Sequence, residues 1–134
     1  MKRLLVIEDH PWVLQMLCRA FQKSASYIES ATTLRQARER ILNSDPFDLV
    51  VCEQHLSDGS GLELLGWLRW QQHIELPFLL ITRSDSISYN YAHDFSIIAK
   101  PFRDSELLAS VRRLLRTEAG GIITRQVPFA ASSD

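Results

Sequence analysis

The feature that most constrains this chain is the alternation of short apolar runs with longer amphipathic stretches. Residues 4–7 are wholly aliphatic, and Pro11 then opens a stretch in which apolar residues recur at helical spacing as far as Phe21. Strands that are apolar on both faces are typical of parallel sheets buried between helices. Repetition of this pattern along the chain predicts βα units and an α/β fold.

The apolar pattern predicts five strands, each followed by a helix. The predicted strands cover residues 4–7, 27–30, 47–52, 78–81 and 97–99. Residues 84–94 are rich in Ser, Tyr and Asn, so we expect the fourth helix to be short or irregular. The pattern stops at a pair of glycines, and we expect a domain over residues 1–117 followed by a tail or linker start over residues 118–134.

Composition and charge restrict the class of protein only loosely. The chain has 134 residues, of which 46% are apolar, which is enough for one domain with a real core. Its net charge of -1 gives no electrostatic footprint for nucleic acid or for an anionic membrane. Arg112, Arg113 and Arg116 are the best candidates for a basic patch, and on a helix they favour a solvated face. We therefore expect no direct nucleic-acid binding and no membrane association.

The first strand and the cysteines indicate a cytoplasmic protein. The opening apolar run is too short for the core of a signal peptide or for a membrane span. Cys18 and Cys52 have no companion at metal-ligand spacing, so we expect two buried, reduced thiols.

Charged and polar side chains stand where four of the predicted strands end. Glu8 and Asp9 follow the first strand, Glu53 the third, Thr82 the fourth and Lys100 the fifth. In an open parallel sheet, ligands bind beyond the carboxyl ends of the strands. Carboxylate oxygens suit a hard divalent cation, and a lysine with a hydroxyl suits a phosphoryl group bound beside it. The sequence therefore predicts one acidic site at this edge.

At this point the chain resembles the receiver domains of bacterial two-component response regulators, over residues 2–117. The motifs that carry the resemblance are Ile7-Glu8-Asp9, Asp48-Leu-Val-Val-Cys-Glu53, Leu56-Ser57-Asp58-Gly59-Ser60-Gly61-Leu62, Ile81-Thr82 and Lys100-Pro101-Phe102. The resemblance implies a CheY-like, doubly wound (βα)5 fold of the flavodoxin type, with helices on both faces of a five-stranded parallel sheet. It also implies a signalling module of a phosphorelay and not an enzyme.

The resemblance assigns a metal site to four positions. Glu8 and Asp9 match the acidic pair that positions Mg²⁺, and Glu53 falls where the family has its phosphoacceptor aspartate. His55 matches the residue whose backbone carbonyl completes the metal site. Thr82 and Lys100 match the hydroxyl and the lysine that contact the phosphoryl group.

Several positions depart from the family pattern. Glu53 replaces the acceptor aspartate, and Ser57 stands where a proline is usual. Ile97 occupies the position at which an aromatic side chain often swings during switching. The stretch between Thr82 and Lys100 is shorter than is typical and lacks the usual glycine. This shortening falls on the fourth helix, which belongs to the face that receivers commonly use for dimerisation: the fourth helix, fifth strand and fifth helix.

The glutamate at position 53 predicts a poor phosphoacceptor. Phosphoryl transfer needs in-line geometry, and a misplacement of about 1 Å lowers the rate on the order of a hundredfold. One added methylene moves the carboxylate by about that much. The charge of Glu53 imitates a phosphorylated aspartate only in part, and we lean toward a single fixed state. We expect weak Mg²⁺ binding, unless Glu53 pairs directly with Lys100 and this pair takes over the role of the cation.

Three functions remain open at this stage. The first is a phosphorylation-independent regulatory or protein-interaction module, and the second is a working phosphoreceiver that uses Glu53 or another acceptor. The third is a Mg²⁺-dependent phosphatase-like enzyme. Such enzymes usually have two aspartates, two positions apart, at the first strand, whereas here Asp9 is followed by His10-Pro11, which argues against this function. A flavodoxin-type cofactor domain is disfavoured because the acidic loop repels a bare phosphate.

The resemblance implies protein partners, namely a histidine kinase or an effector domain. Three tryptophans are further candidates for partner contacts. Trp12 lies one turn from the acidic pair, where it either contacts a partner or forms a partly buried lid over the site. Trp67 and Trp70 lie on the third helix, and aromatic residues are enriched at interfaces.

Overall fold

The computed structural model describes residues 2–25, 27–83 and 95–116. A parallel sheet carries the fold, with strand order β2-β1-β3-β6-β7. Its strands are β1 (Arg3–Ile7), β2 (Tyr27–Ala31), β3 (Leu49–Glu53), β6 (Phe78–Arg83) and β7 (Ser96–Lys100). A two-stranded antiparallel hairpin, β4 (His55–Leu56) and β5 (Gly59–Ser60), stands apart from the sheet. The predicted doubly wound, five-stranded parallel sheet is confirmed.

The helices follow the strands in the predicted order. They are α1 (Pro11–Phe21), α2 (Leu34–Asn43), α3 (Gly61–Gly66) and α4 (Asp104–Arg116). The predicted fourth helix over residues 84–94 and the predicted tail over residues 118–134 lie outside the described residues. Among the helices that the structure describes, none is long and apolar enough to cross a membrane.

Two hydrophobic cores lie on opposite faces of the sheet. Successive side chains of a strand point to opposite faces, and consecutive residues of β1 accordingly enter different cores. One core packs the sheet against α2 and α3, as Leu34 and Leu64 show. The other packs it against α1 and α4, as Phe21 and Val111 show. Helices therefore cover both faces, and the carboxyl edge of the sheet stays available for polar residues.

The structure differs from the sequence-based expectations in three places. The polar stretch after β3, predicted as a loop, forms the β4–β5 hairpin. The third helix ends early, at Gly66, and continues as a π-helical turn, Trp67–Gln71. Cys52 is buried as predicted, but Cys18 is only half-buried and its prediction as a core thiol is wrong in that respect.

Asp58 fastens the hairpin to the start of α2. Its two carboxylate oxygens accept hydrogen bonds from the backbone amides of Leu34, at 2.8 Å, and Arg35, at 3.1 Å. The Thr33 side chain accepts from the next amide, that of Gln36, at 3.0 Å. The first three orphan amides of α2 are thereby satisfied. Burial raises the pKa of Asp58, but the amides of Leu34 and Arg35, its own amide and the positive charge of Arg38 together hold the pKa below its usual value.

Gly61 brings the start of α3 against the end of β3. A Cβ atom at this position would lie 2.5 Å from Leu80 Cδ1 and 2.9 Å from the backbone oxygen of Glu53. The latter is backbone and has little room to move. Gly66, in the same helix, is in open surroundings, since the nearest atom to its Cβ would be Trp70 Cδ1 at 3.9 Å. Only the first of these glycines is required by packing.

Replacing Asp58 tests its role as a cap. We expect Asp58→Asn to lower the free energy of unfolding by about 1 kcal/mol at neutral pH, because an amide group then faces an amide donor. Because the folded-state pKa is lowered, the carboxylate contributes fully above its unfolded pKa of about 3.9. That contribution disappears as the pH falls through the lower folded value. Urea unfolding at several pH values should show the difference from the natural chain shrinking in acid.

The matched control for this variant is Asp45→Asn, which changes an exposed carboxylate in the turn before β3. It should leave the free energy of unfolding almost unchanged. Equal destabilisation by the two variants would show that Asp58 does not act as a cap.

Alanine at the two glycines of α3 should act in opposite directions. Gly61→Ala is expected to lower the free energy of unfolding by about 1–3 kcal/mol through overpacking against Glu53 and Leu80. Gly66→Ala is expected to raise it by up to about 1 kcal/mol, since alanine restricts the unfolded chain and favours helix. Chemical denaturation of both variants checks this, and a Gly61→Ala protein as stable as the natural chain would contradict the close packing.

Candidate functional site

The parallel strands bring the predicted site residues to one edge of the sheet. Glu53 is the last residue of β3 and Lys100 the last residue of β7, with β6 lying between these strands. The register places Glu53 beside Ile81 of β6, and Thr82 beside Ala99 of β7. Glu53 and Thr82 are both buried, with 5% and 0% of their surfaces exposed. This edge therefore combines a buried carboxylate, a buried hydroxyl and an ammonium group.

An ion pair joins Glu53 to Lys100. Lys100 Nζ lies 2.7 Å from Glu53 Oε1, which is a short contact between opposite charges. The Glu53 side chain is 7% exposed and that of Lys100 is 41% exposed, so the lysine reaches in from the solvent-facing side. The other carboxylate oxygen, Oε2, accepts a hydrogen bond from the His55 backbone amide at 3.3 Å. Both oxygens of Glu53 therefore have a positively polarised neighbour.

Glu8 and Asp9 lie at the same edge, after β1. Glu8 is buried, and its Oε2 accepts a hydrogen bond from the His10 backbone amide at 3.0 Å. Asp9 is half-buried. His10 in turn caps α1, because its Nδ1 accepts from the Val13 amide at 3.4 Å. The acidic pair is thus held at the start of α1, as the sequence predicts.

Burial is the main cause that raises the pKa of Glu8. The His10 amide opposes this shift, the negative charge of Glu53 and the Asp9 side chain add to it, and the positive charge of Lys100 opposes it. A carboxyl group whose pKa is raised by folding binds its proton more tightly in the native state than in the unfolded chain. Ionisation of Glu8 therefore removes stability as the pH rises through its pKa.

The predicted metal ligands do not assemble into a cation site. Within the described ranges, 2–25, 27–83 and 95–116, no group of three or more His, Cys, Asp or Glu side chains is placed to hold a metal ion. Glu53 is turned to Lys100, and Glu8 to the His10 amide. The His55 backbone amide donates to Glu53, and the predicted role of the His55 backbone carbonyl as a ligand stays a prediction. In this arrangement the acidic residues do not fit Mg²⁺.

Ile97 lies in the core. It is 2% exposed, stands beside Leu80 in the β6–β7 pairing and belongs to the core on the α2–α3 face. At the position where the resemblance implies a swinging aromatic side chain, this chain therefore has a packed aliphatic one.

Gln54 is the site residue that sequence reasoning missed. The backbone amide of Gln54 donates to the Ile81 carbonyl at 2.9 Å, and the backbone carbonyl of Gln54 accepts from the Gly61 amide at 2.9 Å. Its buried side-chain oxygen also accepts from the Leu62 amide at 3.1 Å. Gln54 thereby ties the residue after Glu53 both to β6 and to the start of α3. A lone glutamine in a polar stretch gives no sequence signal for such a role.

The tryptophans differ in their surroundings. Trp12 is 67% exposed, so the interpretation as a partly buried lid is wrong, because the side chain projects from the first turn of α1 into solvent. Trp67 is half-buried against the core and lies 5.7 Å from the Arg38 guanidinium. Trp70 is 67% exposed on the π-helical turn.

This chain is similar in architecture to solved structures of response regulators. A putative response regulator from Chloroflexus aurantiacus J-10-fl superimposes with a TM-score of 0.72 at 26% identity, covering 85% of this chain and 97% of that one. The chemotaxis response regulator CheY4 of Vibrio cholerae gives a TM-score of 0.73 at 22% identity, covering 85% and 98%. The second likeness concerns the fold alone.

Curated relatives agree with this likeness. The transcriptional regulatory protein BasR of Escherichia coli K12 is 35% identical over 120 residues, which are 85% of this chain and 52% of BasR. The response regulator protein PilR of Pseudomonas aeruginosa is 31% identical over 125 residues, which are 88% of this chain and 28% of PilR. The chain thus spans about half the length of these relatives or less.

A family model gives the same result from the sequence side. The model of the response regulator receiver domain matches residues 4–112, which is most of the chain and the whole of the described sheet except the first residue of β1. Members of this family are signalling modules and typically not enzymes, and they normally bind Mg²⁺ at the phosphorylation site. The chain belongs to the response regulator receiver domain family of two-component signalling systems.

Proposed function

We propose that this chain is an atypical receiver domain that regulates a partner protein without phosphorylation of residue 53. The observation that carries this proposal is the ion pair between Glu53 and Lys100. In this interpretation Glu53 stands at the phosphoacceptor position, and its carboxylate is already engaged by the lysine that a phosphoryl group would otherwise meet.

The geometry disfavours attack by Glu53 on a phosphodonor. The attacking oxygen has to approach the phosphorus in line with the leaving group, and catalysis of this transfer consists almost wholly of positioning and charge stabilisation. Glu53 Oε1 faces the ammonium group, and Oε2 faces the His55 amide. The Glu53 carboxylate therefore lies beside Lys100, in the place that the transferred phosphoryl group would occupy. It does not lie where the attacking oxygen of a shorter aspartate would be.

The same contacts support a single fixed state. A carboxylate carries one negative charge, whereas a phosphate carries about -1.5 to -2 and more acceptor oxygens, so Glu53 imitates a phosphorylated aspartate only in part. Ile97 is packed in the core and Thr82 is fully buried. A side chain that switches between a buried and a surface position needs access to the surface, and both of these side chains are buried. We propose that the domain keeps one conformation, and relaxation-dispersion NMR showing two exchanging states would contradict this.

The proposed partners are proteins. Relatives such as BasR and PilR are longer than this chain, so an effector domain is the natural recipient of the signal in them, and a histidine kinase the natural donor. A homodimer through residues 84–94, β7 and α4 remains a prediction, since the first of these elements lies outside the described residues. A Mg²⁺-dependent phosphatase activity is disfavoured by the contacts of its candidate residues, because Glu53 is turned to Lys100 and Glu8 to the His10 amide.

The decisive experiment measures phosphate incorporation by intact mass. The natural chain, Glu53→Asp and Glu53→Gln are incubated with a small-molecule acyl phosphate and Mg²⁺. We expect Glu53→Asp to gain a phosphoryl group on the order of a hundredfold faster than the natural chain, because the shorter side chain restores the attack geometry.

Glu53→Gln is the matched control, since it keeps the length of the side chain and removes the nucleophile. A natural chain that is phosphorylated as fast as Glu53→Asp would overturn the proposed function. If the natural chain and Glu53→Gln gained phosphate equally, a different side chain would be the acceptor and the alternative phosphoreceiver function would hold.

A further inference from the structure

The position of a cation in this acidic edge is taken by an amino group of the chain itself. Three carboxylates stand at the ends of β1 and β3, namely Glu8, Asp9 and Glu53. Such a group needs a counter-charge, because like charges held close together and partly out of water repel one another. Lys100, 2.7 Å from Glu53, is the described residue that supplies it in direct contact.

The register of the sheet explains why Lys100 reaches this position. Glu53 is level with Ile81 of β6, and Ile81 is level with Ile98 of β7. Lys100 is therefore two residues beyond the level of Glu53, on a strand roughly 10 Å away. The long Lys100 side chain spans this distance, so that its ammonium group contacts the Glu53 carboxylate while the side chain stays partly exposed.

Two further carboxylate oxygens of this edge accept hydrogen bonds from backbone amides. Glu8 Oε2 faces the His10 amide, and Glu53 Oε2 faces the His55 amide. A divalent cation prefers six or more oxygen ligands and would compete with these amides and with the ammonium group for the same two carboxylates. Displacing Lys100 is the largest of these changes, since two positive charges would compete for one buried carboxylate.

We propose that the Lys100 ammonium group is the resident cation of this site and that it excludes Mg²⁺ and similar divalent cations. The site of this chain is then complete without a metal ion, unlike the site that the family normally uses. The removal of Lys100 should create a divalent-cation site, because Glu53 then becomes the best available ligand beside Glu8 and Asp9.

The test is a titration of the whole chain with MgCl₂ at constant ionic strength and without a phosphodonor. Tryptophan fluorescence is a suitable signal, since Trp12 projects from α1 three residues after Asp9. The natural chain is expected to give no saturable change. Lys100→Met is expected to give a saturable change with a half-saturation on the order of millimolar, as for weak carboxylate sites. Lys23→Met, which removes an exposed lysine elsewhere, should behave like the natural chain.

Two results would overturn the proposal. One is saturable Mg²⁺ binding by the natural chain, and the other is its absence in a Lys100→Met protein whose circular dichroism shows the native fold. If Lys100→Met does not fold, Glu53→Asp tests the same exclusion from the other side, because its carboxylate retreats from the ammonium group by about 1.5 Å. A folded Glu53→Asp protein that gains no saturable Mg²⁺ response would overturn the proposal equally.

The role of Lys100 and the proposed function can fail separately. Rapid phosphate incorporation at Glu53 would remove the proposed function, whereas saturable Mg²⁺ binding by the natural chain in the absence of any phosphodonor would remove only the role of Lys100. Isothermal titration calorimetry with the same proteins provides a readout that depends neither on phosphate nor on tryptophan.

Discussion

A buried carboxylate must have a partner, and the Glu53–Lys100 ion pair is how this chain meets that requirement. Charges exposed to solvent contribute little to stability, on the order of 0–1 kcal/mol per pair, and the lysine is partly exposed. Glu53, in contrast, is almost wholly buried, and a buried charge without its partner is strongly destabilising. The pair therefore matters less for the stability it adds than for the state it imposes. Removing Lys100 from Glu53 would leave a buried carboxylate without its charged partner, which supports the proposed single state.

The two residues of this ion pair are positioned by the sheet and not by loops. Glu53 and Lys100 are the last residues of β3 and β7, and Gln54 and Gly61 fix the chain directly after β3 to β6 and α3. Asp58 then ties the following hairpin to α2. The residues after Glu53 are thus held by hydrogen bonds on two sides. A site supported in this way has little freedom to rearrange, which agrees with a module that presents one surface to its partner.

The sequence predicted the sheet better than the site. Wholly apolar runs such as residues 4–7 fix both the strands and their burial, because period and composition are local properties. The edge at which Glu8, Glu53 and Lys100 gather also followed, since parallel strands end on the same side. The direct pair of Glu53 with Lys100 was one of two alternatives that the sequence left open, and the structure has this contact. The contact of Asp58 with Leu34 depends on side-chain direction and on distant elements, and no local pattern encodes it. The π-helical turn after Gly66 is a tertiary adjustment of the same kind.

A receiver that works as we propose, without phosphorylation of residue 53, does not use the input of the family and acts only through its contacts with a partner. In a phosphorylated receiver, the modified aspartate draws a lysine and a hydroxyl toward it, and the charge arrives only on demand. Here Lys100 already contacts the Glu53 carboxylate. In the proposed function, regulation depends on whether the partner is present and in what amount, because no phosphorylation of residue 53 separates an on state from an off state.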